Sequence, residues 1–189
     1  MTEATYLSCS DTAKLVRKAL KREFPGVKFS VRSSVYSGGA SINVKWIDGP
    51  LQAQVKSVVS VYAGGDFDGM IDLKYSVETW LCPDGSAVPA YSGGTEGSMG
   101  VHEGYAFAPP ADAVLVHMGA DFIFADREIS RDLLQTALDE TCAYWGIEDR
   151  PVIVEGKFGA VYLDNDTMVA NANDYSTRLV YRHAEATAR

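Results

Sequence analysis

Ser10-Asp11-Thr12-Ala13-Lys14-Leu15-Val16-Arg17-Lys18-Ala19-Leu20-Lys21-Arg22-Glu23-Phe24, then Pro25-Gly26, then Val27-Lys28-Phe29-Ser30-Val31-Arg32, switches from helical to strand periodicity at one turn. Ala13, Val16, Leu20 and Phe24 recur at three- or four-residue steps, which is one face of a helix. Ser10 is the expected N-cap, and Pro25-Gly26 the expected stop. Beyond it, Val27, Phe29 and Val31 alternate with Lys28, Ser30 and Arg32. In 41–47, Ile42, Val44 and Trp46 alternate with Asn43 and Lys45. The link Tyr36-Ser37-Gly38-Gly39 is flexible enough to close a hairpin. A helix packed on an antiparallel hairpin starts an α+β fold.

Working outward, Asp48-Gly49-Pro50 opens a second helix over 51–63, closed by Gly64-Gly65. A strand is expected at 73–81, a turn at Cys82-Pro83-Asp84-Gly85, and a return strand at 86–91. Residues 92–112 are rich in glycine and end near Pro109-Pro110, so they read as a long loop. Short strands follow at 113–117 and 122–125. A helix capped by Ser130 or Asp126 runs to Trp145 and stops at Gly146, before a hairpin of 152–155 with 160–163. Residues 179–181 read as a last strand or short helix. Helix then hairpin thus occurs twice, over 10–47 and 129–163, as a pseudo-repeat. The expected organisation is a helix-hairpin-helix module at 1–75 and an acidic α+β remainder at 76–189 sharing one core with it.

The 189 residues are 47% apolar and 22% charged, enough for a core without cross-links. Three scattered cysteines form no Cys-x-x-Cys pair, which favours a reducing compartment. The start has no leader pattern, and no apolar run nears the roughly 18 residues of a membrane span, so a cytoplasmic protein is expected. The net charge of −8 is unevenly spread. Residues 1–60 hold nine Lys and Arg against four Asp and Glu, whereas 61–189 hold eight against 21. Such a split bears on partners and steering.

Lys14, Arg17, Lys18, Lys21 and Arg22 fall at i, i+3, i+4, i+7 and i+8, so they share one helix face. Lys28, Arg32 and Lys45 add positive charge on the hairpin, facing away from the core. Together they suit phosphates or an acidic protein surface, with Tyr36 or Trp46 available for base stacking. A solvated helix face would look the same. Asp66, Asp68 and Asp72 cluster their carboxylates, but the calcium-loop spacing fails because Met70 and Val77 stand where ligands belong. A turn feeding a strand explains them equally well. The glycines of 93–100 lack the Gly-Lys-Ser/Thr ending of a phosphate loop. His102 has no second ligand at metal spacing, and no cofactor is implied. A nucleophile–base pair such as Cys82 with His117 would have to be assembled by folding, since triads form in space and not in sequence. Cys142, beside Tyr144 and Trp145, reads as a packing residue.

Asp11-Thr12-Ala13, Phe24 to Arg32, Val44-Lys45-Trp46, Asp48-Gly49-Pro50 and Phe67-Asp68-Gly69-Met70-Ile71-Asp72 together resemble a family of phage and conjugative-element proteins, large polyvalent protein-associated domain 29. The resemblance covers residues 10–75, includes no catalytic residue, and implies a mobile-element origin with an accessory role. The leading expectation is a non-enzymatic protein that binds and inhibits a host defence nucleoprotein complex, such as a CRISPR effector, in the bacterial cytoplasm. The carboxylates of 61–189 or the basic helix would make the contact. The alternatives are direct nucleic-acid binding through the basic helix, and an enzyme with a site under the 92–112 loop. Edge strands in either hairpin would allow a dimer.

Overall fold

Ser8, two residues before the expected cap, starts the first helix of this computed structural model. Its hydroxyl oxygen accepts from the amide of Asp11 at 3.1 Å, and its O–H donates to the Asp11 carboxylate at 2.6 Å. The described residues are 3–70, 72–90, 106, 108–148, 150–155, 161–164, 180 and 182–187. Of the expected 92–112 loop, residues 92–105 and 107 lie outside them, as do Leu179 and Tyr181.

The chain forms two compact units, residues 1–46 with 52–126, and residues 47–51 with 127–189. In the first, helix α1 (Cys9–Glu23) has Asp11 in its first turn and Lys21 and Arg22 in its last, each complementing the helix dipole. Ala13, Val16, Ala19 and Leu20 are buried against Val31, Ile42, Val44 and Trp46. Strands β2 (Ser30–Tyr36) and β3 (Gly39–Ile47) pair antiparallel, with Val31 opposite Val44 and Arg32 opposite Asn43. The strand starts later than its alternation suggested and runs up to the turn at Ser37-Gly38. Phe29, just before it, packs its ring on Trp46.

Helix α2 (Gln52–Val59) continues into a 3-10 turn, Ser60–Tyr62, whose Tyr62 is buried and donates to the Gly85 carbonyl at 2.8 Å. The expected strand over 73–81 is two strands. β5 (Leu73–Ser76) pairs with β4 (Gly65–Asp68), whereas β6 (Glu78–Leu81) lies in a separate sheet between β7 (Ala87–Pro89) and β8 (Val114–His117). Val77 is the switch: it is buried, and its amide bonds to the Gly64 carbonyl at 2.9 Å. That sheet is mixed, because the short β1 (Thr5–Tyr6) joins β8 in parallel. A two-residue strand offers no alternation to read. β9 (Phe122–Glu128) lies beside β3, completing the order β2-β3-β9.

Gly119 lets the chain pass α1. A Cβ there would meet the Leu7 carbonyl oxygen at 2.1 Å, and its amide donates to the Thr12 hydroxyl at 3.1 Å.

In the second unit, Ser130 caps α3 (Arg131–Trp145) by accepting from the Leu133 amide at 3.1 Å. Gly146, at φ 62°, ends it in the left-handed conformation that glycine adopts without strain. β10 (Val152–Glu155) and β11 (Val161–Asp164) pair antiparallel. Leu134, Ala137, Leu138 and Cys142 form a core with Ile153, Val180 and Ala184, the last two from a C-terminal helical stretch. Each unit therefore holds a 15-residue serine-capped helix followed by an antiparallel hairpin. The fold class is α+β.

Candidate interaction surfaces

All five cations of the α1 stripe are exposed, because the apolar residues between them are consumed by the β2–β3 sheet. Several are engaged. Lys14 pairs with Asp11 at 2.8 Å, and Arg22 with Glu23 at 2.9 Å and Asp84 at 3.9 Å. The Arg17 guanidinium donates to the Val31 carbonyl at 2.6 Å. Lys18 and Lys21 have no ion pair among the described residues. The hydrogen bond from Arg22 to Glu23 holds its pKa above the ordinary arginine value.

The hairpin cations do not extend this stripe. Register puts Lys45 opposite Ser30 and Arg32 opposite Asn43, so both point away from the Val31–Val44 side that α1 covers. Lys14, Lys18, Lys21 and Arg22 are exposed on α1, whereas Arg17 reaches back to β2 at the Val31 carbonyl. The β2–β3 sheet therefore lies between Arg32 and Lys45 and the α1 cations. Lys28 is exposed ahead of β2. Tyr36 is half exposed, but Trp46 is 2% exposed beneath Phe29 and is lost as a stacking platform.

The three aspartates stand on the β4–β5 hairpin. Asp66 accepts from the Phe67 amide and from the Tyr75 hydroxyl, each at 2.8 Å. Asp68 accepts from the Met70 amide at 2.9 Å, closing the turn, and Asp72 takes a left-handed φ of 52°. Three apolar residues of this hairpin are exposed: Phe67 52% and Met70 82% between the aspartates, and Leu73 41% just after Asp72. Sequence reading treated the segment as a turn and missed this apolar tip. The alternation of Phe67 with Asp66 and Asp68 was its only signal. At the base, the Lys74 ammonium lies 2.8 Å from the Asp121 carboxylate and 5.5 Å from the Phe122 ring centre. A cleft of about 250 Å³ runs beside it, lined by Ser60, Gly65, Asp66 and Pro89 among others.

The pairing of Cys82 with His117 is not assembled. His117 stands opposite Glu78, four residues before Cys82 along an extended strand, about 13 Å away at 3.3 Å per residue. His102 lies outside the described residues. Among the described residues, no group of three or more His, Cys, Asp or Glu is placed to hold a metal ion. No helix of these residues is long and apolar enough to cross a membrane.

A family model described as large polyvalent protein associated domain 29 matches residues 7–130, well over half of the chain. The match reaches past residues 10–75 to take in β6 through β9, and nearly coincides with the first compact unit. No curated protein and no solved structure gives a significant match.

Proposed function

This chain belongs to the large polyvalent protein associated domain 29 family of phage and mobile-element proteins, and we propose that it acts as a non-enzymatic accessory protein which occludes a host defence nucleoprotein complex. The observation that carries this reading is the β4–β5 hairpin. It presents Leu73 on the face shared with Asp66 and Asp68, Phe67 on the opposite face and Met70 at the turn, all exposed to solvent, and it lies within the family match. Apolar anchors within a polar rim are the anatomy of a protein interface. Carboxylates beside those anchors complement the basic groove in which a nucleoprotein complex, such as a CRISPR effector, holds its nucleic acid. The chain would act in the cytoplasm of the bacterial host.

The test is capture from bacterial lysate on tagged protein at low and high salt, with retained protein and nucleic acid both identified. Wild type should retain one defence complex at low salt, and a Met70→Asp/Asp72→Lys variant should release it. Equal retention by both proteins would remove the hairpin from the mechanism.

One observation favours a second reading, direct nucleic-acid binding by α1: Lys18 and Lys21 stand exposed on a face with three further cations. A Lys18→Glu/Lys21→Glu variant should then lose low-salt binding to duplex DNA. Absence of DNA binding by wild type at low salt would end that reading.

A further inference from the structure

Tyr144 and Trp145 end α3 with 79% and 56% of their surfaces exposed, whereas Cys142, read from sequence as a packing residue, is buried. The helix turns Cys142 inward and leaves the two rings outside, 5.2 Å apart and edge to face at 79°. With Glu140, Thr141 and His183 they line a cleft of about 380 Å³. Glu140 and Tyr144, like Thr141 and Trp145, are i and i+4, so all four lie along one strip of the helix. The Glu140 carboxylate is bonded to His183 Nε2 at 2.5 Å through one oxygen, Oε2.

We propose that this cleft is a receptor for a single arginine side chain presented by a partner protein. Three features of the cleft fit that occupant. Two aromatic rings offer the negative faces that attract a guanidinium. A half-exposed carboxylate stands beside them and can accept its N–H donors. The last turn of α3 holds no basic residue of its own to offset the negative end of the helix dipole. A phosphate would meet the same groups with the wrong sign of charge. The cleft lies beyond residue 130, outside the family match, and the proposal does not depend on the β4–β5 hairpin.

Trp145 supplies its own reporter. Its indole N–H is one of three in the chain, the others being Trp46, buried, and Trp80, half-buried. The experiment titrates the full chain with a capped Gly-Ser-Arg-Ser-Gly peptide and follows the three indole signals by NMR, with Trp145→Phe assigning the one of interest. The Trp145 signal should shift saturably while Trp46 and Trp80 hold still, and Glu140→Gln, at an exposed position, should weaken binding roughly tenfold. The Met70→Asp/Asp72→Lys variant should bind the peptide as wild type does. No Trp145 shift, an equal shift with a capped Gly-Ser-Glu-Ser-Gly control peptide, an unchanged affinity in Glu140→Gln, or a response to oligothymidine alone would each overturn the proposal.

Discussion

The carboxylate of Asp48 accepts a hydrogen bond from the backbone amide of Ser130 at 2.8 Å, across 82 residues of sequence. Ser130 in turn caps α3, so a residue from the segment 47–51 positions the start of a helix in the same unit. Asp48 also has φ 52°, a region that Asp and Asn tolerate better than other side chains. Asp48→Asn should therefore be nearly neutral, whereas Asp48→Ala should cost about 1–3 kcal/mol, combining the lost bond with backbone strain. Urea denaturation of the two variants measures the difference. Equal stabilities would show that the Asp48 side chain does not hold this junction.

Arg127 makes the densest set of backbone contacts among the described residues. Its guanidinium donates to the carbonyls of Asp48, Gly49, Ala184, Glu185 and Thr187, at distances from 2.5 to 3.4 Å. Burial lowers its pKa, and the charges of Asp48 and Glu185 oppose that shift. Lysine keeps the charge but cannot reproduce the planar fork, so Arg127→Lys should lose about 2 kcal/mol. Hydrogen exchange at 182–187 should quicken while the α1 amides keep their protection. Uniform loss of protection across the chain would contradict this local role.

Two glycines should respond to alanine to very different degrees. At Gly119 a methyl group would lie 2.1 Å from the Leu7 carbonyl oxygen and 2.6 Å from the Cys9 amide, both backbone atoms. Gly119→Ala should destabilise by about 3 kcal/mol or more. At Gly26 nothing lies within 4 Å, and only the φ of 91° opposes a side chain, so Gly26→Ala should cost about 1 kcal/mol. Comparable melting temperatures for the two variants would mean that the α1–Gly119 approach is looser than described.

Where the sequence carried a period or a cap, it was readable. The apolar face of α1, the Ser130 and Gly146 boundaries of α3 and the Cys82–Gly85 turn all rest on local chemistry. What escaped depends on contacts far away in sequence. β1 has two residues and exists only through its pairing with β8. Val77 divides what reads as a single strand, because its amide is taken by the Gly64 carbonyl. Helical spacing grouped the five α1 cations, but no local rule sets how that face sits relative to Arg32 and Lys45, which lie across the β2–β3 sheet. The apolar hairpin tip and the exposed Tyr144–Trp145 pair were hidden for the same reason: burial is a tertiary property.

Asp121 gives the fold a pH dependence of known sign. Desolvation pushes its pKa up, but hydrogen bonds from Lys74 and the Ala40 amide, with the charge of Lys74, outweigh this and hold it below the ordinary 3.8. A lowered folded-state pKa means stability that is present above 3.8 and lost as pH falls through the folded value. Asp121→Asn should be the less stable protein near neutrality, and its curve should converge with wild type at acidic pH. Parallel curves down to the acid limit would show that the Lys74–Asp121 pair does not contribute this dependence.

The most direct measurement concerns exclusion. A bacterial defence complex captured by the protein would be purified, loaded with labelled nucleic acid, and titrated with the chain while bound label is followed by anisotropy. Occlusion predicts that label is displaced with saturation near one chain per site, and that the Met70→Asp/Asp72→Lys variant needs far higher concentrations. A stable ternary complex, holding both the chain and undiminished nucleic acid, would contradict it.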